Sequence, residues 1–250
     1  MRSENGSILI ILVYILFSVA GGALIFALLY EPRVIKEDKM AYLKSLNGYY
    51  EKYYKENARE IDSQEGVVSL PVVPSKKYRV RTASTGRLNR TGIYYHNFVL
   101  ILLEDDKTTV NQSTGEISTS QDYVLVVDGF KIQKELYEQT RRYAEDIAFK
   151  LEQYHKAKYL ADPYHDFTKN YFKKNTCNGA GEFNCTAFAT LEDTNVCTVL
   201  KINCRKTGWN TSYFFDNFSS SLSPVPPYNC RIGFDTPWGE REWVYAVQEY

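Results

Sequence analysis

Residues 132–154 read IQKELYEQTRRYAEDIAFKLEQY, and the period of this stretch decides the fold class. Ile132, Leu136, Thr140, Tyr143, Ile147, Leu151 and Tyr154 recur at steps of three and four. That spacing lines them up on one side of a helix turning once every ~3.6 residues. Glu138–Arg142 and Asp146–Lys150 stand at i,i+4 on the wet face, where opposite charges support a helix. Pro163 has no N–H to continue the ladder and ends the pattern. Upstream, Ile93–Leu103 (IYYHNFVLILL) and Tyr123–Val127 (YVLVV) are β-branched and aromatic runs. Between them lies the polar stretch Glu104–Gln121, which holds Gly115, so the pair predicts a hairpin with a long loop. Downstream, Thr198–Asn203 (TVLKIN) predicts a strand, and Ile232–Tyr250 alternates weakly while carrying Trp238 and Trp243. Strands segregated from one long amphipathic helix predict an α+β domain with antiparallel sheet.

Toward the N-terminus the chain changes character. Gly66–Val80 (GVVSLPVVPSKKYRV) carries Pro71 and Pro74 and reads as an extended connector. Lys36–Glu60 is rich in Tyr and charge, with Met40, Leu43, Tyr50 and Tyr54 at helical spacing. It predicts a stalk helix, frayed where Asn47-Gly48 weakens the propensity. Ile8–Tyr30 (ILIILVYILFSVAGGALIFALLY) is 23 residues without a charge. As a helix it extends roughly 34 Å, enough to cross a hydrocarbon core of ~30 Å. Ser18-Val19-Ala20 offers the small residues of a signal-peptide cleavage site, but the apolar run continues for ten residues beyond Ala20. The segment therefore reads as an uncleaved anchor. The expected organisation is a cytoplasmic tail at 1–7, a transmembrane helix at 8–30, a stalk at 31–65 and an exoplasmic domain at 66–250.

Thirty basic residues balance thirty acidic ones, so no global field draws in nucleic acid. Apolar residues at 44% and a mean hydropathy of −0.39 exclude both a disordered chain and a multi-span membrane protein. All five cysteines lie between Cys177 and Cys230, which suggests a local disulfide framework in an oxidising compartment with one thiol left over. Cys177 with Cys185, and Cys197 with Cys204, close short loops. Orientation pulls two ways. Arg33, Lys36 and Lys39 follow the apolar run and only Arg2 precedes it, which by the positive-inside rule puts the domain in the cytoplasm. The cysteines oppose this, as do the glycosylation sequons at Asn89, Asn111, Asn184, Asn210 and Asn217, where chance would give roughly two in the chain. The reading sides with the cysteines and sequons: a single-pass type II protein of the plasma membrane, its N-terminus cytoplasmic and its large domain outside.

Within the apolar run, Tyr14 and Phe17 share a face, and Gly21 and Gly22 open a notch where another helix can approach closely. These four are the expected contacts with a partner's membrane helices. Catalytic motifs are absent: no Gly-x-Ser-x-Gly, phosphate-binding loop or His-Glu-x-x-His occurs. The cysteines lack the closely spaced pairs that hold zinc. His165 stands near Asp162 and Asp166, a set read as a polar turn after the helix, with a metal site as the alternative. Lys169–Lys174 (KNYFKK) is basic and aromatic and reads as a solvated helix end, with single-stranded nucleic acid as the alternative. No enzyme activity, cofactor, metal or nucleic-acid partner is expected.

Several stretches taken together resemble the β subunit of sodium/potassium- and proton/potassium-transporting P-type ATPases. Val13–Phe26 looks like that family's single aromatic and small-residue-rich span, and Gly66–Val80 is similar to its connector. Ile147–Lys156 (IAFKLEQYHK) looks like its ectodomain helix. Cys197–Trp209 (CTVLKINCRKTGW) is the best match, and Pro226–Cys230 (PPYNC) resembles the opening of its last disulfide. The resemblance implies an immunoglobulin-like ectodomain and a non-catalytic role. The subunit would support folding and delivery of a catalytic α subunit and modulate its ion affinity. It leaves Cys230 without a partner. Two alternatives stand beside it. A pilin-like or pseudopilin-like filament subunit would be processed at Gly6-Ser7 and assembled through the helix from Ile8, with Asp235–Gly239 (DTPWG) similar to a pseudopilin loop; position 11, where that class carries Glu, is Ile11. The other is a type II adhesion or receptor ectodomain.

Overall fold

The computed structural model describes residues 36–75, 77–119, 122–174, 179–183, 188–216 and 225–248. The anchor at 8–30 with Tyr14, Phe17, Gly21 and Gly22, the Gly6-Ser7 site, Cys177, Cys185, Asn184 and Asn217 lie outside the described residues. Among the described residues no helix is long and apolar enough to cross a membrane.

Helix α1 covers residues 36–62. Leu43, Leu46, Tyr50, Tyr54, Ala58 and Ile61 form its buried stripe, each no more than 5% exposed. The expected fray does not occur. Asn47 Nδ2 donates to Glu51 Oε1 at 2.6 Å, Gly48 lies on the open side, and the buried Leu46 and Tyr50 clamp the turn from either flank. Tertiary packing overrides the weak local propensity. Nor is α1 a stalk, because its buried stripe belongs to the same apolar core as the rest of the molecule.

Strands β1 (Val80–Ser84), β2 (Leu88–Arg90), β3 (Ile93–Tyr95) and β4 (Phe98–Leu102) follow the connector. After the short β5 (Thr109–Val110) and β6 (Ile117–Ser118) comes β7 (Tyr123–Val127). The first sheet has the order β1-β4-β7, all antiparallel, so the expected long-looped hairpin is present as β4 and β7. Every residue of β4 is buried. By the two-residue period of a strand, Phe98, Leu100 and Leu102 face the main core, while Val99 and Ile101 are buried on the opposite side. Tyr50, Tyr53 and Tyr54 of α1 close on the Phe98 ring with centroids 4.9–6.4 Å away.

Helix α2 spans Gly129–Ala161. Asp128 caps its first turn by accepting from Lys131 N, and Asp162 stops it one residue before Pro163. Ile132, Leu136, Thr140, Ile147 and Leu151 are buried as the stripe predicts, with Tyr143 and Tyr154 half-buried at its margin. Past α2 come β8 (Ala189–Thr190), a short 3-10 turn, α3 (Val196–Leu200), β9 (Phe214–Asp216), β10 (Asn229–Asp235) and β11 (Arg241–Val247). The second sheet runs β11-β10-β9-β8, again antiparallel, and packs Ile232, Phe234 and Phe215 into the core beneath α2.

Two expectations are corrected here. Residues 198–203 do not form a strand. Cys197 and Cys204 are joined by a disulfide with Cα atoms 5.7 Å apart. Between them the chain coils as α3 and reverses at Lys201, which takes the left-handed conformation at φ 54°. A strand of that length would hold the two Cα atoms about 23 Å apart, so the bridge excludes it. The fold is α+β with antiparallel sheets, but among the described residues helices rather than a second sheet cover the core faces, and the helix expected as a stalk joins α2 in covering them. The described residues do not form an immunoglobulin-like sandwich.

Candidate functional site: the helix-to-head junction

The C-terminal end of α1 carries Tyr54 and Asp62, one helical face apart by two turns. The break between β3 and β4 brings in His96, and the first turn of α2 brings in Gln133. Tyr54, Asp62, His96 and Gln133 are all fully buried. The Asp62 carboxylate accepts the Tyr54 hydroxyl at 2.7 and 2.9 Å. It also contacts His96 Nδ1 at 2.7 Å and accepts the Gln133 side-chain amide. His96 Nε2 lies 2.9 Å from the Gly66 carbonyl, and its backbone N–H donates to the Tyr54 hydroxyl at 3.0 Å. Gln133 donates to the Ala58 carbonyl at 3.2 Å and accepts Trp209 Nε1–H at 2.7 Å. Four segments distant in sequence are thereby tied at one point.

Backbone packing is equally tight. A Cβ placed on Gly129 would sit 1.8 Å from the His96 carbonyl oxygen and 2.7 Å from the Tyr54 hydroxyl, so only glycine lets α2 start here. Burial pushes the Tyr54 hydroxyl well above its ordinary titration range, and the Asp62 carboxylate pushes it the same way. The phenol stays a neutral donor. Tyr, Asp and His in contact are the parts of an acid–base relay, yet none of these side chains reaches solvent and none lines the larger clefts. What the arrangement does is fasten α1 to the head.

Of the residues singled out from sequence, Asn89, Asn111 and Asn210 are exposed in separate places. Asn111 Oδ1 accepts from Ser113 N at 3.0 Å, and Asn210 holds a left-handed φ of 59°. Cys230 is a free thiol, completely buried, its titration raised by burial and by the nearby Asp216 and Glu152. His165, Asp162 and Asp166 form the polar turn. Asp162 accepts Lys169 Nζ at 2.5 Å, Tyr171 Oη at 2.8 Å and Tyr164 N at 3.0 Å, and these lower its carboxyl to about 2. No group of three or more candidate metal ligands occurs among the described residues. The DTPWG residues make the β10–β11 turn, where Trp238 packs on Tyr94 and Trp209 with centroids about 6 Å apart.

Sequence reasoning placed Tyr54 on a helical stripe and gave no role to His96, which lies inside a run read only as β-rich. It missed Asp62 and Gln133. The available signal was Gln133 itself, a polar residue set directly beside Ile132 on the apolar side of α2.

No family model, curated protein or solved structure matches the chain.

Proposed function

We propose that the chain is a non-enzymatic, membrane-anchored structural subunit of the pilin-like kind, held in the bilayer by residues 8–30 and assembled with other copies through that apolar segment. One observation carries the reading. Five residues separate Tyr30 from Lys36, and from there α1 is the inner spine of the head. Subunits joined through the residues before α1 need α1 gripped by the rest of the domain, and here an apolar stripe and a buried polar knot grip it. The DTPWG turn between β10 and β11 and the Gly6-Ser7 site support the same reading. The test is the mature N-terminus of the protein from native membranes, together with disulfide crosslinking from a cysteine at Leu16. A chain starting at Ser7 with self-crosslinks is expected. An intact Met1 end with no self-crosslink would sink it.

A second reading has one observation in its favour. The Cys197–Cys204 bridge closes the segment CTVLKINC on which the likeness to the P-type ATPase β subunit rests. In that reading the protein supports folding and delivery of a catalytic α subunit, contacts it through Tyr14, Phe17, Gly21 and Gly22, and carries glycans at the exposed sequons. The head lies outside the cell in both. The same purification decides between them: a mass loss on N-glycosidase treatment with a co-eluting ATPase supports the pump subunit, and neither is expected for the filament subunit.

A further inference from the structure

An open cleft of about 860 Å³ lies along the wet face of α2 between Arg90 of β2 on one side and Arg205 of the loop after α3 on the other. Both guanidinium groups are held over aromatic rings. Arg90 lies 4.6 Å from the Phe130 centroid and Arg205 5.5 Å from the Tyr143 centroid. Tyr143 is itself fixed by a hydrogen bond to the Asn203 carbonyl at 2.6 Å. Cation–π seating orients each guanidinium while leaving its N–H fork open. Arg90, Lys131 and Arg205 have no carboxylate partner among the described residues. The acids of the cleft are already engaged: Asp128 with the Lys131 backbone N–H, Glu135 with Lys55, Glu138 with Arg142, and Asp146 with Lys150.

We infer that this cleft binds an acidic polysaccharide, a linear sugar chain bearing carboxylate groups on some units and only hydroxyls on others. Phe130 and Tyr143 are 13 residues apart on the helix, about 20 Å along its axis, so a ligand reaching both arginines is a chain and not a single ion. Cations and carboxylates alternate along the floor. Carboxylates repel a polymer charged on every unit but accept hydrogen bonds from sugar hydroxyls, while the open guanidinium forks take the sugar carboxylates two-pronged. Single-stranded nucleic acid fits less well: the aromatic faces that would stack bases already carry guanidinium groups. A lipid surface fits less well too, since the floor is charged rather than apolar.

The test uses the full-length chain in nanodiscs and measures binding of a hyaluronan decasaccharide by calorimetry. Oligo-dT of equal charge and an uncharged dextran oligosaccharide serve as the other arms. Saccharide binding that weakens at least tenfold in Arg90→Ala/Arg205→Ala, and severalfold in Lys131→Ala, is the expected result. These side chains are exposed, so thermal melts of the variants should match the parent and keep loss of binding distinct from loss of fold. No binding of the decasaccharide, equal binding by the double variant, or tighter binding of oligo-dT would each overturn the inference.

Discussion

Replacing Asp62 with Ala is the sharpest test of the junction. The carboxylate is fully buried and takes three side-chain partners, from Tyr54, His96 and Gln133. Hydrogen bonds to a charged group contribute about 1.5–3 kcal/mol each. Simple addition overstates the loss, because Gln133 keeps the Ala58 carbonyl and His96 keeps the Gly66 carbonyl. Breaking a buried charged cluster by deleting one member costs about 3–5 kcal/mol, and that range is expected here. Against a typical total of about 5–15 kcal/mol this is a large share, equivalent to a fall in Tm of roughly 6–20 °C for a chain of this size. The assay is urea unfolding of the full chain in detergent, followed by far-UV circular dichroism. A double-mutant cycle with Tyr54→Phe should show coupling of at least about 1 kcal/mol, since both changes remove the same contact. A loss below about 1 kcal/mol with additive effects would mean that the knot is incidental and apolar packing alone holds α1.

Gly129→Ala should destabilise by about 3 kcal/mol or more, because the new methyl meets the His96 carbonyl backbone, which cannot swing aside as a side chain would; the same unfolding assay checks it. Leu43→Ala, at a site fully buried on α1 and far from the polar knot, should cost about 2–5 kcal/mol. A free stalk helix would lose almost nothing, so the measurement also tests the spine. The Asp162 turn stabilises above the ordinary carboxylate range near pH 4, and this contribution is lost as pH falls through about 2, because the folded-state carboxyl is lowered. Its largest cause is Lys169, so Lys169→Met should move the Asp162 carboxyl upward in a side-chain NMR titration; an unmoved titration would refute the contact. Reducing Cys197–Cys204, which closes a loop of only a few residues, should cost about 2 kcal/mol and release α3, measured as faster amide exchange at Val199 and Leu200.

The legible parts of the fold were those governed by local period. The α2 stripe, its end before Pro163 and the short disulfide loop follow from spacing within a few residues, and the β4–β7 pairing follows from two β-rich runs flanking one polar stretch. What was not legible depended on partners far along the chain. Asn47-Gly48 predicts a fray until Leu46 and Tyr50 are seen buried on either side of it. The run TVLKIN has strand composition, and only the bridge across it forces a turn of helix. The junction was hidden for the same reason. Asp62 ends a helix as many exposed aspartates do, and nothing near it in sequence announces His96, 34 residues on, or Gln133, 71 residues on.

Why place a polar knot at this point at all, when an apolar core of the same shape is often as stable? Apolar stripes tolerate sliding, since a helix moved by one turn still offers Leu or Tyr to the sheet. Directional bonds do not tolerate it. Shifting α1 by a single turn, about 5.4 Å, would carry Asp62 out of reach of His96 and Gln133 together and pull the Gly66 carbonyl, four residues further on, away from His96. The apolar stripe therefore supplies most of the adhesion between helix and head, and the knot sets the register. Under the proposed filament reading, in which subunits join through the residues that precede α1, register is the property that matters, because any axial slip at the junction would displace the folded domain relative to those residues. The reasoning makes its own distinction between residues: Asp62→Asn, which keeps the shape and loses the charge, should leave the head folded while permitting slip. Zero-length carbodiimide coupling of Lys55 on α1 to Glu135 on α2, whose charged groups lie 2.9 Å apart in the native register, should then be less complete than in the parent, and undiminished coupling would show that the apolar stripe alone fixes the register.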